Sequence, residues 1–145
     1  VAGPVPSTDR AFGAAIAALL LAARGDVEAA IRTADAASGA DDATYLDRIT
    51  ADVAAGLALA RSDRPDDALA RLDRARDAAA ATSDRIAPAV VALARAIVAG
   101  ASGATDPVEE RTEAAVALAR LGLSATGWET AFCLAAGVRP PQPVS

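Results

Sequence analysis

Apolar blocks rich in Ala and Leu alternate along this chain with short polar knots, and the knots predict where helices start and stop. A first helix starts near Ser7 or Thr8 and ends at Arg24–Gly25; its run AFGAAIAALLLAA reads as buried. Asp26 caps a second helix that runs to about Ser38, with Gly39 as the stop. Asp41 or Asp42 opens a third, ending near Ser62, and Pro65 sits in the first turn of a fourth that ends near Ala81. Thr82-Ser83-Asp84 starts a fifth helix, which carries Pro88 early and ends before Gly100. After the connection GASGAT, Asp106–Pro107 starts a sixth helix reaching Arg120 or Leu121. Thr126-Gly-Trp-Glu129 has capping-box spacing and opens a seventh, stopped by Gly137 and Pro140. The expected fold is all-α: about seven helices in antiparallel pairs at 8–38, 42–81 and 83–121, with a last helix at 126–137.

Composition supports this picture. Hydrophobic residues make up 53% of 145 residues but aromatics only 3%, so small side chains dominate. Ala is the strongest helix former, whereas a sheet core needs β-branched and aromatic residues. All 14 basic residues are Arg, as high-GC coding would give. The net charge of −5, without a basic block, argues against direct nucleic-acid binding. The 13-residue run at 11–23 falls short of the roughly 20 residues of a membrane span and lacks a basic leader in front, so a cytoplasmic location is expected. Residues 1–7 and 138–145 read as linker and flexible tail, the pattern of a piece cut from a longer protein.

A repeat lies beneath the helices. Gly56, Leu59, Ala68, Leu72 and Ala75 fall 38 positions after Ala18, Leu21, Ala30, Ala34 and Ala37. In both pairs a small residue midway along one helix faces an Ala 12 positions later. Residues 46–79 and the phrases ARGDVEAAIRTADAA and ARSDRPDDALARLDRA resemble tetratricopeptide repeats, and AAVALAR at 114–120 resembles a second repeat helix. The resemblance implies a right-handed superhelix of helix pairs, with the last helix capping the exposed end. The 38-residue offset departs from the family's usual 34.

Candidate chemistry is thin. Without His or Lys there is no Ser-His-Asp triad, no His-ligated metal, no Schiff base and no phosphate-loop lysine. Cys133 in AFCLAAG reads as a small buried hydrophobe. The acidic pairs Asp41–Asp42, Asp66–Asp67 and Glu109–Glu110 all fall near helix starts, where free N–H groups and the helix dipole favour negative charge. Side chains of adjacent helical residues diverge by about 100°, so these pairs do not converge on a metal. Trp128 could anchor a partner or close the core, and the core reading is preferred; Tyr45 and Phe12 are expected between helices. No catalytic residue, metal or cofactor is expected.

The resemblance places binding on the inner face of the first helix of each pair. Its inward positions carry over to Thr50, Val53, Ala54, Leu57 and Arg61, with Phe12, Ile16 and Leu19 from the first repeat and Arg95 from the fifth helix. The implied function is a non-enzymatic protein-interaction module, such as the helical-repeat portion of a bacterial regulator, that takes an amphipathic helix or an acidic extended peptide in its groove. Self-association through the Ala-rich first or seventh helix is a second reading. A small-molecule site between the helices is a third, which a closed cavity lined by Asp or Arg would favour.

Overall fold

The computed structural model describes residues 7–41, 43–101, 103 and 108–140, and of residues 7–12 the backbone alone. The expectations for Asp42, for most of the GASGAT connection, for Asp106–Pro107, for the Phe12 side chain and for the terminal linkers fall outside what is described. Among the described residues there are seven α-helices and no strand: α1 (Ser7–Ala23), α2 (Val27–Ser38), α3 (Tyr45–Arg61), α4 (Pro65–Ala80), α5 (Ile86–Ala101), α6 (Val108–Arg120) and α7 (Ala125–Ala136). No helix among them is long and apolar enough to cross a membrane.

Local chemistry explains the boundaries, in places differently from the expectation. The third helix begins at Thr44, not Asp41 or Asp42, because Thr44 and Asp47 form a reciprocal capping box. Thr44 Oγ1 accepts from the Asp47 N–H, while Asp47 Oδ2 accepts from the Thr44 N–H at 2.8 Å. Asp26 does stand at the N-cap of α2, but its side chain makes no capping bond. The turn before α2 is closed by the backbone instead, with Asp26 N donating to Leu21 O across Gly25, whose φ is 86°. The turn between α3 and α4 repeats this arrangement 38 residues later. Arg64 N donates to Leu59 O across Asp63, which takes a left-handed φ of 62° in the glycine position. Asp84 Oδ1 accepts from Ile86 N at 2.7 Å and starts α5. Pro88 is the third residue of that helix, where no intrahelical donor is required. The expected capping box at Thr126–Glu129 does not form: Ser124 is the N-cap residue, and Glu129 pairs with Arg111.

Packing is between neighbours in sequence and between alternate helices. Helices α1, α3 and α5 lie side by side, α2 packs behind α1 and α3, and α4 behind α3 and α5. The repeat-related positions are all interior or nearly so: Ala18, Ala30, Ala34 and Ala37 are buried, as are Gly56, Leu59, Ala68, Leu72 and Ala75. Helix α7 was expected to cap the open end of the array. It packs against α1, α3 and α5 as well as α6, and so lies across the face that the odd-numbered helices share.

At Gly56 the approach of α4 is closest. A Cβ there would lie 2.8 Å from Leu72 Cγ and 3.3 Å from the Ala68 carbonyl oxygen. Leu72 is fully buried and has nowhere to swing. Overpacking a core costs about 1–3 kcal/mol, against roughly 1 kcal/mol that Ala gains over Gly inside a helix. The net cost is up to about 2 kcal/mol, so Gly56→Ala should lower the Tm by up to roughly 8 °C. In the Leu72→Ala background the same change should cost less, or stabilise, as thermal melts by circular dichroism would read.

Candidate functional site

The face covered by α7 is not filled evenly. At one end, Arg61 closes it: its Nη1 donates to Leu134 O of α7 at 2.7 Å and lies 3.4 Å from Ala23 O of α1. A cation among helix C-termini meets both unpaired carbonyls and the negative end of the dipole. Gly137, with φ 73°, stops α7 against the aliphatic part of the Arg61 side chain. On its other flank α7 is held to α6 by the Arg111–Glu129 ion pair.

Towards the opposite end, where α3 and α5 begin, the same face opens into a cavity of about 350 Å³. Ile16 and Leu19 of α1, Ile49 and Val53 of α3, Val90 of α5 and Phe132 of α7 supply its apolar wall. Tyr45, Leu46, Ile86 and Trp128 are large apolar residues left exposed, and the last three line the cavity. Trp128 is 36% exposed and packs its ring edge-on to Phe132, with centroids 5.8 Å apart. It is therefore neither a closed core residue nor a free anchor. Tyr45 does not pack between helices as expected; it is 46% exposed and its hydroxyl lies 3.4 Å from Asp84 Oδ2.

The polar groups of the cavity are Thr44, Asp47 and Thr50. Thr50 Oγ1 donates to Leu46 O at 2.7 Å, so its hydroxyl proton is committed to the helix. Asp47 is 4% exposed and is the only charged residue in the wall among those described. Nothing here resembles a nucleophile with its base. The arrangement can bind, through apolar burial and one carboxylate.

Of the nine residues expected to line the groove, the structure brings together Ile16, Leu19, Thr50 and Val53. Ala54 and Leu57 are buried in the helix packing. Leu57 lies between Val53, which shares the cavity with Phe132, and Arg61, which holds Leu134, so α7 runs over it. Arg61 is a clamp within the fold and not a groove cation. Arg95 donates to Asp73 of α4 at 2.7 Å and is absent from the cavity wall. The sequence reading missed the contributions of α5 and α7 because it took the inner face to be open. The Trp128–Phe132 spacing of four, which puts two aromatics on one helix face, was the available signal.

Cys133 is fully buried beside this site. Burial pushes its thiol above the ordinary range, and the nearby Arg111 guanidinium only partly opposes this. Comparison with protein families, with curated proteins and with solved structures finds no match to the chain.

Two expectations follow from this geometry. Arg61→Ala removes the bond to Leu134 O, and one exposed charged hydrogen bond at a helix end contributes about 1 kcal/mol. Amides of α7 should then exchange with deuterium roughly fivefold faster while those of α4 stay unchanged. Cys133 should react with a disulfide reagent at pH 8 far more slowly in the native protein than in urea. Because its folded pKa is raised, the stability it contributes is intact below the usual thiol value of about 8.5 and is lost as pH rises through the higher folded value. Below that range the urea midpoints of the native chain and of Cys133→Ala should differ by a constant offset, and only above it should the native midpoint fall relative to that of the variant.

Proposed function

We propose that this chain is a non-enzymatic protein-interaction module of tetratricopeptide-like build, a right-handed stack of helix pairs that receives an apolar side chain of a partner at the mouth of the cavity. The repeat reading is supported by the pairs of interior residues 38 positions apart and by the matching backbone turns at Gly25 and Asp63. The binding reading is carried by one observation: the odd-numbered helices and α7 converge on an apolar recess bordered by exposed Leu46, Ile86 and Trp128. Exposed large apolar residues grouped at a concavity mark interaction sites more often than scattered ones do. The partner is an amphipathic helix or extended peptide with a Leu or aromatic anchor. A cytoplasmic place within a larger regulatory protein of bacterial type belongs to the same reading.

Selection of a displayed peptide library on the native chain tests it. Enriched peptides should carry a large apolar anchor, and burying such a side chain is worth about 1.5–3 kcal/mol. Leu46→Ser or Ile86→Ser should therefore weaken their binding by about tenfold or more, with the helical circular dichroism preserved. Enriched peptides indifferent to both substitutions, or no enrichment at all, would overturn the reading.

A further inference from the structure

We infer that the cavity is also a small-molecule site, selective for a compact apolar body carrying a basic nitrogen, and that Asp47 sets this selectivity. The inference goes beyond partner binding and does not depend on it, because it rests on the cavity alone.

Volume comes first. About 350 Å³ is more than one anchored side chain fills and lies in the range of small-molecule pockets. An apolar cavity of about 150 Å³ already takes benzene, so this one holds a phenyl ring with a short chain. Its walls are built for such a body: Ile16, Leu19, Ile49, Val53, Val90 and Phe132 surround it with aliphatic and aromatic surface.

Charge comes second. Among the described residues that line the cavity none is cationic, and Asp47 is the one that is charged. The Asp47 carboxylate accepts one backbone hydrogen bond, from the Thr44 N–H, and the helix start holds it in place. It is 4% exposed, so water screens it poorly. Thr50 offers no free donor, because its hydroxyl is bonded to Leu46 O. Near the mouth, the Asp84 carboxylate receives the Tyr45 hydroxyl and the Ile86 N–H, adding negative charge on the side where α5 starts. Arg48, next in sequence to Asp47, and Arg85, next to Ile86, are exposed and absent from the wall. A carboxylate ligand would bring a second negative charge into this poorly screened space, where the described wall offers only the neutral donors of the Thr44 hydroxyl and the Trp128 indole N–H and no cation to receive it. An ammonium group gains the opposite interaction.

Three probes of nearly equal size separate the contributions: 2-phenylethylamine, 2-phenylethanol and phenylacetate, each titrated into the full 145-residue chain. Binding is read from Trp128 fluorescence and from amide shifts at Leu19, Ile49, Val53 and Val90. The amine should bind saturably and the alcohol more weakly, with the acid weaker than the amine by about tenfold or more. Asp47→Asn keeps a carbonyl oxygen for the Thr44 N–H, so the helix cap survives while the charge is lost. In that variant the amine should fall to the affinity of the alcohol. Saturable binding of phenylacetate as tight as that of the amine would overturn the inference, as would an amine preference that persists in Asp47→Asn. Failure of all three probes to shift the cavity resonances of the native chain would overturn it without any variant, and would leave the peptide selection to decide the partner reading separately.

Discussion

The middle of helix α3 is enclosed on all sides, and the rest of the molecule is arranged around that constraint. Every residue from Ala51 to Leu59 is buried, with α1, α2, α4, α5 and α7 all packed on this one helix. So many neighbours fit only if their backbones come close. Ala51, Ala54, Ala55, Gly56 and Ala58 supply the small surfaces, and Leu72 of α4 fills the notch at Gly56. The stretch also contains Asp52, 4% exposed, whose charge would be prohibitive without partners. Arg71 and Arg74 of α4 supply them, at 3.1 and 2.6 Å, and Arg71 reaches Asp35 of α2 at 2.9 Å as well. Hydrogen bonding to Asp52 raises the Arg74 guanidinium further above its ordinary range, against the opposing effect of burial. Three helices are thereby registered through Arg71, which joins Asp52 of α3 to Asp35 of α2, a specificity that apolar Ala surfaces cannot provide.

The cavity follows from how α7 meets this assembly. Arg61 ties the C-terminal ends of α1 and α7 together, so α7 is seated closely at that end. At the other end α7 presents bulky, shape-specific groups, Trp128 and Phe132, which line the cavity together with Ile16, Leu19 and Ile49. A rigid helix pinned at one end and propped on aromatic rings at the other leaves space between the rings and the helices beneath. The site is thus a consequence of a strong polar clamp and a small number of large side chains in a chain otherwise dominated by Ala.

Much of the fold was legible because helix ends are local chemistry. Pro65, Gly39 and Gly137 marked boundaries without help from tertiary structure, and the 38-residue offset found the residues that α1–α4 bury. Where two local solutions compete, the reading failed. Asp41 and Asp42 were as good a cap as Thr44 by composition, and only the reciprocal bond with Asp47 decides for Thr44. Glu129 has capping-box spacing from Thr126 but finds a stronger partner in Arg111 across the helix interface. The groove residues found elsewhere owe their places to long-range contacts that no window of sequence contains: α7 runs over Leu57 and bonds Arg61, Ala54 packs among the alanines of α1 and α2, and Arg95 pairs with Asp73 of α4. Arg61 was expected to point into a groove, and it instead bonds the Leu134 carbonyl of α7.

The capping box of α3 joins architecture to binding. A carboxylate at the third position of a helix is ordinarily a solvated stability device, and its charge is largely spent on the dipole and water. Here α7 and α5 close over the start of α3, so the same carboxylate is left with little water beside an apolar cavity. It cannot be replaced by an apolar residue without losing the bond to the Thr44 N–H, nor can it be moved without shifting the first turn of the most enclosed helix among those described. A group that the fold requires for one purpose thus fixes the electrostatic sign of the site for another. Only a residue that keeps an oxygen for the Thr44 N–H, as Asn does, can change the charge of the cavity while leaving the start of α3 in place.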